Sequence, residues 1–95
     1  MIKAIIIDDE LRAQRVLKNL IESYCEEVEV LACCNDVPSA VIKINQLNPD
    51  VVFCDIEMPQ YTGLELVSFF QKVNFELIFA TGYSEFALKA FELSA

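Results

Sequence analysis

Histidine is absent from the 95 residues. Every His-based catalytic triad, imidazole metal ligand and phosphohistidine donor is thereby excluded, and carboxylates and hydroxyls must carry any chemistry. Glycine occurs only twice and proline three times, so the chain is not a low-complexity or disordered one. Neither G-x-x-x-x-G-K-[ST] nor G-x-G-x-x-G is present, which argues against nucleotide binding through a glycine-rich phosphate cradle. No apolar run approaches the ~20 residues of a membrane span. The N-terminus meets Asp8 and Asp9 after a short apolar run, too early for a signal peptide. These absences lead us to expect a soluble cytoplasmic protein with no membrane partner. Positive charge is also scarce: seven Lys and Arg face fifteen Asp and Glu, for a net charge of −8. Such a surface repels phosphate backbones, so the chain alone is a poor nucleic-acid binder. Cys25, Cys33, Cys34 and Cys54 form no C-x-x-C pair and read as reduced, buried or half-buried small hydrophobes. Cys33 and Cys34, adjacent on a strand, should point to opposite faces.

What remains is 55% hydrophobic, enough for the core of one domain over residues 1–95. Short β-branched runs alternate with helical periodicity. Residues 2–7 read as a buried strand ending at Asp8 and Asp9. Ala13, Val16, Leu17, Leu20, Ile21 and Tyr24 form one stripe of an amphipathic helix. Residues 28–32 read as a second strand near a sheet edge. Asp36 is a candidate N-cap for a second helix, with Pro38 tolerated in its first turn and Asn48 and Pro49 ending it. Residues 50–55 form a third strand closed by Asp55. Met58, Pro59 and Gly63 mark a loop, 64–72 a third helix, 76–80 a fourth strand, and Ser84 can cap a fourth helix. The βαβαβαβα order implies an α/β fold, a parallel sheet with helices on both faces.

Open α/β sheets bind ligands beyond the carboxyl ends of their strands. Those ends carry Asp8, Asp9, Asp55 and Thr81. Taken singly, an Asp pair after a strand commonly caps the next helix, and a terminal Asp or Thr commonly serves a turn. Together they place three carboxylates and a hydroxyl at one small site if the first, third and fourth strands are neighbours. Crowded carboxylates repel one another, and a hard divalent cation such as Mg²⁺ relieves that repulsion.

Three stretches then resemble a known family. They are the apolar strand ending in Asp8, Asp9 and Glu10; Pro49 and Asp50 leading to Asp55, Met58, Pro59 and Gly63; and Phe79, Ala80 and Thr81. They look like the receiver domain of two-component response regulators, and residues 79–95 further resemble receivers of LytTR-type transcription regulators. The resemblance spans the whole chain and implies the flavodoxin-like fold. It implies that Asp55 accepts a phosphoryl group from a histidine kinase in a phosphorelay. By the same resemblance Asp9 ligates Mg²⁺ directly, Asp8 does so through water, and Asp55 and the backbone carbonyl of Glu57 complete the metal site. Thr81 would hydrogen-bond the phosphoryl oxygens and move its loop. The domain would not be an enzyme in the ordinary sense, beyond slow self-dephosphorylation, and would act on DNA only through an output domain absent from these residues.

The family also has a fifth strand, ending in Lys-Pro, and a fifth helix, and the chain stops at Ala95 before either. The expected sheet order is therefore 2-1-3-4, in a C-terminally truncated receiver with the fifth βα unit missing. A raw edge on the fourth strand favours self-association as a dimer, or a partner that supplies the missing unit. Two other readings stand beside the leading one. The receiver fold can serve as an interaction or dimerisation module that is never phosphorylated. Alternatively Asp55 could act as the covalent nucleophile of a Mg²⁺-dependent phosphotransferase or hydrolase, since Asp55-Ile56-Glu57 is similar to a D-x-D hydrolase loop.

Overall fold

The computed structural model describes residues 1–56, 58 and 60–80. Strand β1 (Ile2–Ile7) leads into helix α1 (Leu11–Tyr24), β2 (Val28–Cys34), α2 (Val37–Leu47), β3 (Val51–Cys54), a 3-10 helix (Gly63–Phe69) and β4 (Glu76–Phe79). All pairings are parallel and the sheet order is β2-β1-β3-β4. This is the flavodoxin-like arrangement that the sequence implied. The expected fourth helix lies outside the described residues.

The centre of the sheet follows from its β-branched sequence. Ile5, Ile6 and Ile7 of β1 and Val52 of β3 are at most 1% exposed, because both faces of a central parallel strand are covered. On one face Ile5, Ile7, Val52 and Cys54 meet Val37, Ala40 and Ile44 of α2, together with Leu66 and Met58. Each fully buried aliphatic side chain there contributes about 1.5–3 kcal/mol. Helix α2 starts as its sequence suggests: Asp36 Oδ1 accepts the Ser39 N–H at 2.8 Å, and proline sits in the first turn. It ends on Asn48 in the left-handed region (φ 48°), with the Asn48 N–H bonded to the Ile44 carbonyl. Asn tolerates that conformation better than most residues.

Four expectations shift in detail. β2 runs to Cys34 rather than ending at residue 32, because a register shift between Ala4 and Ile5 passes over Leu31 and lets the pairing continue. Cys33 lies exposed while Cys34 is buried, so the pair does point to opposite faces, but Cys33 is not the small core residue expected. The third helix is a 3-10 helix over seven residues. Both the Thr62 N–H and its hydroxyl donate to Glu65 Oε1, at 3.3 and 3.2 Å, which tightens its entry. The α1 stripe is rotated from the one expected. Gln14 and Ile21 are buried, whereas Val16, Leu20 and Tyr24 are 54%, 50% and 81% exposed. The helix meets the sheet along one edge of its apolar face, leaving the other edge over a cleft of about 340 Å³ bordered by Asp8, Ala13, Leu17 and Ala80.

The cysteines provide a labelling test. Burial, chiefly, pushes the Cys34 thiol up to about 11 and, with the charges of Asp55 and Asp8, Cys54 up to about 12. Neither forms the reactive thiolate at pH 8. Burial raises the Cys33 thiol as well, but its exposure leaves it accessible, so in the folded protein iodoacetamide should modify Cys33 and leave the buried Cys34 and Cys54 intact. Peptide mass mapping before and after denaturation checks this, and labelling of Cys54 in the native state would contradict the core described.

Candidate functional site

The sheet's hydrogen bonding continues one residue past its strands and brings their ends into a row. Asp8 N–H donates to the Cys34 carbonyl at 3.0 Å, Asp55 N–H to the Ile7 carbonyl at 2.9 Å, and Ala80 N–H to the Cys54 carbonyl at 3.0 Å. Because β1 and β3 are neighbours, Asp8, Asp9 and Asp55 converge. Each offers a carboxylate oxygen, and these oxygens lie within 4.8 Å of one another. Asp8 and Asp55 are half-buried and Asp9 is exposed.

Helix capping does not account for the aspartate pair. The N-cap of α1 is Glu10, and no side chain caps it. Asp8 Oδ1 instead accepts the Glu10 N–H at 3.0 Å, which turns the chain from strand to helix and leaves Asp9 projecting at the corner. Burial, chiefly, holds the Asp8 carboxyl above the usual carboxylate range. The Glu10 N–H pulls it down, while the negative charges of Asp9 and Glu10 push it up further.

The donor set suits a hard divalent cation. Three oxygens within 4.8 Å match the span across an ion with metal–oxygen distances of about 2.0–2.6 Å. The exposure of Asp9 leaves room on the solvent side for water or a phosphoryl group.

The loop after Asp55 is shaped by Gly63. Its N–H donates to the Ile56 carbonyl at 2.6 Å. A Cβ on residue 63 would lie 2.3 Å from the Asp55 carbonyl oxygen and 3.0 Å from Cys54 Sγ. The Asp55 carbonyl also accepts from the Cys54 thiol at 3.2 Å, so the loop folds directly against the backbone of the candidate acceptor. Gly63→Ala should cost about 1–3 kcal/mol by forcing that backbone apart. Urea denaturation measures the cost, and a change below the error of the measurement would contradict the close approach.

Of the residues proposed from sequence, Asp8, Asp9 and Asp55 are brought together. Glu57 and Thr81 lie outside the described residues. Sequence reasoning missed Gln14, whose amide Nε2 donates to the carbonyls of Asp8 at 2.7 Å and Cys34 at 3.2 Å. The available signal was its spacing, seven residues before the buried Ile21, which puts a polar side chain on the sheet-facing side of α1.

Comparisons with known proteins agree with this geometry. The family model of the response regulator receiver domain matches residues 4–95. A response regulatory protein of Vibrio cholerae is 42% identical over 100% of this chain and 40% of its own length. The sensory transduction protein LytT of Bacillus cereus is 36% identical over 100% of this chain and 39% of its own. The chain thus spans about two-fifths of the length of these relatives. Among solved structures, the response regulatory domain of mrkE from Klebsiella pneumoniae superimposes with a TM-score of 0.83 at 30% identity, covering 99% of this chain and 78% of that one. With the sheet order, the acidic cluster and the sequence matches in accord, the chain belongs to the response regulator receiver domain family.

Proposed function

We propose that residues 1–95 act as the receiver of a two-component response regulator, accepting a phosphoryl group on Asp55 from a histidine kinase. The observation that carries this reading is the convergence of Asp8, Asp9 and Asp55 beyond the strand ends of a receiver fold. A carboxylate oxygen of Asp55 attacks phosphorus and an acyl phosphate forms. The phosphorus–nitrogen bond to the kinase imidazole breaks, its electron pair stays on that nitrogen, and the nitrogen takes up a proton. Asp8 and Asp9, with the backbone carbonyl of Glu57, would hold Mg²⁺ beside Asp55. A bound Mg²⁺ supplies the charge neutralisation that phosphoryl transfer needs. Thr81 would donate its hydroxyl to a phosphoryl oxygen and carry the modification into a loop movement. The readout is transcriptional, through a LytTR-type DNA-binding output domain outside these residues, in the cytoplasm. The relatives named as response regulatory and sensory transduction proteins support the receiver reading. Slow self-dephosphorylation would return the domain to its resting state.

Intact mass after incubation with acetyl phosphate and Mg²⁺ tests this: the expected product carries one added phosphoryl group. A second reading, an interaction module that is never phosphorylated, is favoured by apolar side chains left in solvent. Leu11, Val16 and Leu20 on α1 and Ile78 on β4 are 61%, 54%, 50% and 46% exposed. Absence of the adduct together with a concentration-dependent dimer by sedimentation would favour that module.

A further inference from the structure

Gln14 is buried at 6% exposure, and among the described residues it is the buried polar side chain. Nothing in the phosphoryl chemistry calls for it, and a buried amide is costly unless its hydrogen bonds are made. Its Nε2 makes two, to the Asp8 carbonyl at 2.7 Å and the Cys34 carbonyl at 3.2 Å. The Cys34 carbonyl also accepts the Asp8 N–H at 3.0 Å. Asp8 is therefore held at both its N–H and its C=O, with the end of β2 as the common anchor.

The carbonyl that Gln14 grips belongs to the peptide unit joining Asp8 to Asp9. A peptide unit is planar, so fixing its oxygen and the preceding N–H fixes the direction in which the Asp9 Cα leaves the strand. Asp9 itself is exposed, so the direction of its backbone largely decides where its carboxylate lies. The Gln14 backbone N–H bonds the Glu10 carbonyl at 3.1 Å, which anchors the amide to the first turn of the helix that follows. The opposing pull is real, because the cluster's carboxylates repel one another.

We infer that Gln14 is a positioning residue for the acidic cluster: its side-chain amide clamps the Asp8–Asp9 peptide to the end of β2 and so sets where the Asp9 carboxylate meets those of Asp8 and Asp55. This rests on the receiver reading above and adds to it a residue that touches neither ion nor phosphoryl group. Partners that orient ligands in this indirect way typically change metal affinity by about 10–100-fold when removed.

The test compares Mg²⁺ affinity by titration calorimetry in the unsubstituted protein, in Gln14→Met and in Ile44→Val. Methionine keeps the length and flexibility of the side chain but donates no hydrogen bond. Ile44→Val loosens the core beneath α2, away from the cluster, and controls for general destabilisation. Gln14→Met should weaken Mg²⁺ binding about tenfold, with Ile44→Val unchanged. Equal affinity in Gln14→Met and the unsubstituted protein overturns the clamp and leaves the metal reading standing, as does equal weakening in both variants. An unsubstituted protein that binds no Mg²⁺ overturns the metal reading and the clamp with it. NMR of the unsubstituted protein covers the case in which Gln14→Met does not fold. The Gln14 side-chain amide resonances should move on Mg²⁺ titration in step with the Asp9 amide; resonances that stay fixed while Asp9 shifts overturn the inference.

Discussion

Asp55→Asn is expected to take up no phosphoryl group from acetyl phosphate and Mg²⁺ under conditions in which the unsubstituted protein is modified. The substitution keeps the shape of the side chain and the backbone bond from Asp55 N–H to the Ile7 carbonyl, so the strand end should stay where it is. What it removes is the anionic oxygen that forms the acyl phosphate. An amide has no comparable nucleophile, and the loss should reach the detection limit of intact mass spectrometry, a fall of at least about 10²-fold. Asp36→Asn provides the control. Asp36 caps α2 through Ser39 and stands outside the acidic cluster, and Asn caps as well as Asp. The adduct should survive there. An adduct retained in Asp55→Asn would move the acceptor to another acid and overturn the assignment.

The second large effect is on stability, and Asp9→Ala should nearly abolish it. A ligand that binds only the folded state stabilises by about 2.7 kcal/mol at a hundred times its dissociation constant. For a domain of this size that corresponds to a rise in melting temperature of about 10–20 °C. With Asp9→Ala one of the three converging carboxylates is gone, and Mg²⁺ should shift the melting temperature little. Without Mg²⁺ the same variant should melt no lower than its parent, because removing an exposed acid relieves repulsion at Asp8. The pH dependence has a definite sign. The Asp8 carboxyl is held above its ordinary value of 3.8, chiefly by burial, so the folded state binds that proton more tightly than the unfolded one. Its contribution to stability is full below the unfolded value and is lost as pH rises through the raised one. Mg²⁺ competes with that proton, and its stabilising effect should shrink as pH falls through the same window. Differential scanning calorimetry with and without Mg²⁺, at several pH values, measures both. A thermal shift that Asp9→Ala leaves intact would place the cation elsewhere.

The parts of the fold set by pattern are legible in the sequence itself. β-branched runs bounded by acids became the strands, because a central parallel strand needs apolar side chains on both faces. Asp36 and Asn48 marked the two ends of α2 because cap geometry is local. The acidic cluster was readable because parallel strands point their carboxyl ends the same way. Orientation and register were not. An apolar stripe wider than the surface it covers does not say which edge will be buried: of the expected stripe Ile21 faces the sheet, Val16, Leu20 and Tyr24 stay exposed, and Gln14 is buried in their place. The segment 64–72 has helical periodicity, but periodicity alone does not separate an α-helix from the 3-10 helix that forms over Gly63–Phe69. The role of Gln14 is not written in its local sequence, because it depends on carbonyls of two different strand ends, on Asp8 and Cys34.

The passed-over Leu31 gives β2 two separate rulers. Ahead of it Ile2, Lys3 and Ala4 are matched to Val28, Glu29 and Val30; behind it Ile5, Ile6 and Ile7 are matched to Ala32, Cys33 and Cys34. The first half of the strand is measured from the N-terminal end of β1, and the second from the acidic end. One residue of slack absorbs the mismatch, so the length of the strand can drift at its middle while the Cys34 carbonyl stays opposite Asp8. Insertions and deletions near residue 31 should accordingly be tolerated where the same change one turn later, between Cys34 and Asp36, is not.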